Sequence, residues 1–144
     1  MFITNWWHSL LGLPVYERAW HAARVHEEME ELRAARGFFN VWSEMSDVVY
    51  DFTRARWGGY RDIKWPLLWR NFFVGLLYMF PKYTLRYLFF YTVGKRLHAQ
   101  RKMTEVQNPR KDEKLRRIAV RYNLKEDDFV AECHKLARFW PLLK

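Results

Sequence analysis

The chain has 144 residues, half of them hydrophobic and 19% aromatic, with only 6 Gly and 5 Pro. That is enough for one packed domain, and it excludes disordered, collagenous and low-complexity chains. The formal charge is +9, and the stretch from Lys82 to Arg121 holds 12 basic against 3 acidic residues, so one segment carries a positive field suited to polyphosphate, nucleic acid or an anionic membrane surface.

Residues 1–15 read as aromatic and irregular, ending near Pro14, and they lack the positive start of a secretory signal. From Tyr16 to Arg36 the pattern predicts a helix with Trp20, Ala23, Met29 and Leu32 inward, stopped by Gly37. A second helix is expected from Phe38 to Trp57, with Val41, Met45, Val48, Val49 and Phe52 at helical spacing and Gly58-Gly59 as its end. Trp65 to Gly94 is the most hydrophobic region, with 11 aromatic residues between Trp65 and Tyr91. Its longest run free of charge, Asn71 to Pro81, is 11 residues, about half of what a membrane span needs. Pro66 suits a first helical turn, and Pro81 is expected to break the segment in two. A further helical stretch runs from Leu85 to Gln107. Two last helices are marked by Leu115, Ile118, Ala119 and Tyr122, and by Phe129, Cys133, Leu136 and Trp140, with Asn123 and Glu126 resembling a capping pair.

No stretch alternates as strands do. The expected fold is therefore all-α: a helical bundle of six or seven helices in a single domain over residues 1–144. An antiparallel acidic helix pair occupies 16–57, an aromatic insert 65–94, and a C-terminal helical hairpin 109–144.

The acidic residues carry the chemistry. Glu27, Glu28, Glu30 and Glu31 place four carboxylates in five positions. Glu28 and Glu31 are i,i+3 and Glu27 and Glu31 are i,i+4, so both pairs share a face and repel by a few tenths of a kcal/mol each. Glu44 and Asp47 repeat the i,i+3 spacing on the next helix. Two antiparallel helices joined near Gly37 bring these faces together. The result is an all-oxygen site of the kind that Mg²⁺ or Mn²⁺ prefers. The competing reading is a solvated acidic face paired along its own helix, for instance Arg24 with Glu28.

The pattern Glu27-Glu28-x-x-Glu31, a gap of 12 residues, then Glu44-x-x-Asp47 resembles the metal signature of the MazG-like nucleoside triphosphate pyrophosphohydrolases. These are all-α enzymes related to dimeric dUTPases and phosphoribosyl-ATP pyrophosphohydrolase. The likeness covers roughly residues 20–56 and extends to Leu32 and Val48-Val49-Tyr50. It implies Mg²⁺ (or Mn²⁺) held by Glu28, Glu31, Glu44 and Asp47, with Glu27 as a further ligand or as the base that orients water. The reaction implied is attack at the α–β linkage of a nucleotide or another phosphoanhydride substrate. It also implies downstream cations, for which Lys95 and Arg96 are the catalytic candidates and Arg101 and Lys102 the phosphate-binding ones. The family's habit of completing its site across subunits implies a homo-oligomer, a dimer or a tetramer. The aromatic insert is a departure from the family pattern: it suits an oligomer interface, or a greasy pocket for a phosphoanhydride with an apolar tail.

The alternative from another class is a non-catalytic helical module that docks on a membrane surface or a protein partner through its basic and aromatic segment. Leu115 to Val130 resembles a helix-turn-helix, but Glu126, Asp127, Asp128 and Glu132 give the recognition helix the wrong sign for DNA, so nucleic acid is not an expected partner. The five His show no zinc spacing. One cysteine, Cys133, leaves no intramolecular disulfide; it sits on an apolar face, is expected to be buried and inert, and suits an intracellular, cytoplasmic setting.

Overall fold

The computed structural model describes residues 2–140. They form six helices and no strand: α1 (Phe2–Leu11), α2 (Arg18–Ala34), α3 (Phe38–Trp57), α4 (Trp69–Arg96), α5 (Asp112–Arg121) and α6 (Glu126–Ala137). The protein is all-α, as its periodicity predicts. It divides into two compact units, Met1–Pro81 and Lys82–Lys144, with α4 running across the division. No helix among the described residues is long and apolar enough to cross a membrane.

In the first unit, α3 is the central element: every residue from Ser46 to Ala55 is buried. It is covered by its neighbours. α2 precedes it through a three-residue link and packs back along it as an antiparallel partner. The link works because Gly37 takes φ +81, a left-handed value that costs glycine nothing, and its carbonyl accepts the Val41 N–H at 3.0 Å to start α3. The start of α4 approaches α3 at Gly75, where a Cβ would stand 2.7 Å from Val49 Cγ2 and 2.9 Å from the Met45 carbonyl. Trp42 Nε1 donates to the Val74 carbonyl at 2.8 Å across the same contact.

The first helix is a finding that the sequence hides. Residues 1–15 read as irregular, yet α1 spans Phe2–Leu11. Its buried face is Thr4, Trp7, His8 and Leu11, so two polar residues point inward while Phe2, Ile3, Trp6 and Leu10 point out. That inverts the hydrophobic pattern a surface helix normally shows. The inward face is held by His8 Nε2 against Thr53 Oγ1 at 2.9 Å and by edge-on contacts of Trp7 with Tyr50 and Phe80.

α4 also departs from expectation. Pro66 precedes the helix, which starts at Trp69, and Pro81 lies inside it without ending it. A proline removes one backbone donor and crowds the preceding turn, but here the helix resumes on both sides. The helical stretch expected to reach Gln107 stops at Arg96. There the backbone turns through His98 at φ +51, and the Ala99 N–H bonds back to the Gly94 carbonyl at 2.9 Å.

In the second unit, Phe89, Phe90 and Val93 of α4 share a core with Leu115 and Ile118 of α5 and with Phe129, Cys133 and Leu136 of α6. The α5–α6 hairpin turns through Asn123 at φ +56, a conformation asparagine tolerates. The capping pair expected from Asn123 and Glu126 does not form, because α6 starts one residue after Lys125, which makes no side-chain cap. Cys133 is fully buried as expected, and burial pushes its thiol up to about 12, which disfavours the reactive thiolate.

Burial holds His8 down to about 3, aided by the Arg54 charge, and His21 down to about 4 for the same two reasons. In the unfolded chain both imidazoles take a proton near 6.5. The unfolded state therefore binds more protons below that pH, and stability falls as pH drops from about 6.5 toward 3. Urea denaturation of His8→Gln against wild type should show this slope reduced, with His8 accounting for on the order of 3 kcal/mol between pH 7 and 4. Identical pH profiles for the two proteins would show that His8 titrates normally in the fold.

Candidate functional site

Two adjacent helices bring the acidic residues together. Glu28 is buried on α2, Glu31 is exposed one turn later, and Glu44 is half-buried on α3. One carboxylate oxygen from each lies within 4.8 Å of the other two. The i,i+3 spacing on α2 and the short Gly37 link produce this convergence. Asp47 is buried one turn beyond Glu44 and acts electrostatically on Glu28, while the three converging oxygens belong to Glu28, Glu31 and Glu44.

Two further groups complete the cluster, and neither was among the residues assigned from the sequence. Asp51 is buried one turn beyond Asp47, so Glu44, Asp47 and Asp51 form one stripe along α3; that spacing was legible. Arg24 sits one turn before Glu28. Its guanidinium contacts Glu27 and Glu28 and lies 3.5 Å from Asp51. The Arg24–Glu28 pairing is the contact that the competing, non-metal reading of the sequence anticipates; Asp51 adds a partner from the other helix.

The electrostatics follow from burial. Glu28 is pushed up to about 8, first by loss of solvent and then by the charges of Asp51 and Asp47, with Arg24 pulling the other way. Asp51 is raised to about 6 by burial, against the pull of Arg24 and Arg54. Burial opposes the charge on Arg24, but Asp51, Glu28 and Glu27 outweigh it and hold its pKa above the ordinary arginine value. Arg54 is locked in place: its Nη2 donates to the Pro14 carbonyl at 2.8 Å, and its guanidinium lies 5.1 Å from the Trp20 ring centre and 5.4 Å from that of Tyr16.

Glu27, the candidate base, is half-exposed and engaged by Arg24. The four downstream cations belong to the second unit. Lys95, Arg101 and Lys102 line one cavity there. Arg96 instead pairs with Glu132 at 2.9 Å.

The donor set is of the kind that a hard divalent cation takes: all oxygen, from two neighbouring helices. No family model matches the chain, and neither a curated protein nor a solved structure matches it.

Arg24 is the shared counter-ion of Glu28 and Asp51, so Arg24→Gln should cost about 3 kcal/mol by leaving buried carboxylates without it. Adding Glu28→Gln should recover part of that loss, because the double variant removes one of the buried carboxylates that Arg24 serves. A urea double-mutant cycle measures both. Additive losses would mean that the two side chains do not interact in the fold.

Proposed function

We propose that the acidic cluster on α2 and α3 is a Mg²⁺ or Mn²⁺ centre, and that the protein is a MazG-like pyrophosphohydrolase acting on a nucleoside triphosphate or a related phosphoanhydride. The observation that carries the reading is the approach of Glu28, Glu31 and Glu44 to within 4.8 Å on two neighbouring helices. A solvated acidic face has no reason to converge in this way, because like charges repel.

In this reading Glu28, Glu31 and Glu44 hold the cation, and Asp47 supplies a fourth carboxylate from the same stripe. When bound, such a cation supplies positive charge to a triphosphate and acidity to a water ligand. Glu27, half-exposed and paired with Arg24, is the base that would accept a proton from an attacking water once it leaves Arg24. Arg24 fixes Glu28 and Asp51 so that the ligands keep one geometry between turnovers. Such an enzyme belongs in a reducing, nucleotide-rich cytoplasm, which the single buried Cys133 suits.

A second reading, the non-catalytic docking module, is favoured by a separate observation. Trp69, Phe73 and Leu77 succeed one another at four-residue spacing on α4 and are 58%, 62% and 73% exposed. An apolar stripe of this kind is a recognised mark of an interaction surface. It is also compatible with an oligomeric enzyme, whose second copy would cover it.

Thermal unfolding at millimolar Mg²⁺ or Mn²⁺ tests the first reading. Metal at 100 times Kd adds about 2.7 kcal/mol to the native state, a rise of several degrees for a domain of this size. The rise should vanish in Glu44→Gln. Release of pyrophosphate from nucleoside triphosphates should fall on the order of 100-fold or more in Glu28→Gln and Asp47→Asn. No metal-dependent rise and no pyrophosphate release would overturn the enzyme reading. In that event flotation with anionic vesicles, expected to weaken with salt, tests the docking module.

A further inference from the structure

We propose that the second unit contains an anion site for a phosphate dianion, carried by a phosphomonoester or free in solution, at the cavity where α4 ends. The site uses Lys95, Lys102 and Arg101 and needs no metal. It stands apart from the reading of the acidic cluster and does not rest on it.

The cavity has a volume of about 350 Å³ and is lined by Tyr91, Lys95, His98, Arg101 and Lys102 among others, with no carboxylate in the lining. That volume accommodates a phosphate and a small organic body. Lys95 Nζ lies 4.7 Å from the centre of the Tyr91 ring, and Lys102 Nζ lies 5.7 Å from the same centre. Two ammonium groups thus flank one ring. Lys102 also lies 5.2 Å from the Tyr87 ring centre, and its hydrogen bond to Tyr87 raises its pKa.

The neighbouring cations are satisfied in a different way. Arg96 pairs with Glu132, Arg116 with Asp127, Arg117 with Glu113 and Arg121 with Glu105. At the cavity no carboxylate holds the cations: Lys95 rests on the Tyr91 ring, Lys102 on Tyr87 with one hydrogen bond to it, and cation–π contacts at exposed sites are weak. An entering anion therefore displaces a ring contact at Lys95 and competes with one neutral hydroxyl at Lys102, with no ion pair to break at either. Lys95 is not consumed by capping its helix either. The Val93, Gly94 and Lys95 carbonyls already accept the N–H groups of Leu97, Ala99 and His98, at 3.0, 2.9 and 3.3 Å.

The wall of the cavity is built rather than incidental. Gly94 lets the following loop close on the helix, since a Cβ there would stand 2.7 Å from Met103 Cγ. His98 holds a left-handed backbone that most side chains avoid. Arg101 is anchored, with Nη2 donating to the Arg121 carbonyl at 2.5 Å and its guanidinium 4.7 Å from the Tyr122 ring centre. A guanidinium has five donors, so an anchored Arg101 still offers N–H groups to the cavity. Two ammonium groups and one anchored guanidinium favour a compact dianion over a monoanion, because each like-charged neighbour relieved by the ligand adds to the attraction.

The test is calorimetric titration of the full chain with inorganic phosphate in EDTA, with chloride at matched ionic strength as control. Phosphate should bind and chloride should not. Lys95→Gln and Lys102→Gln should each weaken binding roughly tenfold, without altering the unfolding temperature of the ligand-free protein. Glu44→Gln should bind phosphate as wild type does, whatever becomes of the metal reading. A water-soluble phosphomonoester and vesicles containing phosphatidic acid then distinguish a free ligand from a lipid headgroup, each losing affinity in the same lysine variants. Unchanged phosphate binding in Lys95→Gln/Lys102→Gln, an equal response to chloride, or loss of binding in Glu44→Gln would overturn the proposal.

Discussion

The guanidinium of Arg24 touches Glu27 and Glu28 and stands 3.5 Å from Asp51, and the packing of α2 on α3 depends on that sharing. Glu28, Glu31 and Glu44 converge where the two helices meet, and Asp47 and Asp51 continue the α3 stripe beside them. A pair of unit charges at 4 Å near a protein surface interacts by about 4 kcal/mol, and without a counter-charge the helices could not approach with their acids ionised. Arginine suits this place because its planar fork offers several donors to several carboxylates at once, whereas an ammonium is a point charge. Arg24 reaches Glu27, Glu28 and Asp51, and so links the acids of both helices through one side chain.

Around this seam the first unit is stiffened by rings. Trp7 stands edge-on to Tyr50 and Phe80, Phe52 meets Trp65 and Phe72, and Arg54 is enclosed by Tyr16, Trp20 and Tyr50. Aromatic side chains have few rotors and large contact areas, so they position polar groups at low entropic cost. The high aromatic content thus does a task that an aliphatic core does less well. It holds buried His8, His21, Arg54 and Asp51 in an interior where a mispositioned polar atom costs 1–3 kcal/mol or more.

How much of this was legible in the sequence differs by element, for identifiable reasons. α3 could be read to its ends because Gly37 and Gly58 bound a helix buried on several sides. The pairing of Glu28 and Glu31 with Glu44 could be read because it follows from helical spacing and a short link. α1 could not, because its inward face carries Thr4 and His8, whose partner Thr53 lies 45 residues away. On α2 the buried stripe is His21, Val25, Glu28 and Met29; Ala23, expected inside, is exposed, and Trp20 and Leu32 are only half-buried. The helix faces its partner with polar groups, which hydrophobic periodicity does not weigh. Pro81 was misread for the opposite reason: a local breaker was overruled by the apolar packing on either side of it. Asp51 was visible as the next step of the Glu44 and Asp47 stripe, but its meaning depends on Arg24, and that pairing exists only in three dimensions.

The same separation explains how charge is distributed. Met1–Pro81 holds nine basic and nine acidic residues, while Lys82–Lys144 carries the entire +9. Composition alone calls the first unit neutral, yet burial sorts its charges into an acid-rich seam and a scatter of exposed arginines. In the second unit Arg96, Arg116, Arg117 and Arg121 find carboxylates and Arg101 a carbonyl, while the two lysines of the cavity lie against tyrosines. Arginine stands wherever a geometry is to be held, as at Arg24, Arg54 and Arg101. The cavity lysines carry a charge that can leave a weak ring contact, or in Lys102 one hydrogen bond to Tyr87, for a stronger partner. A site that must exchange its occupant needs this second kind of cation, and a seam that must keep its shape needs the first.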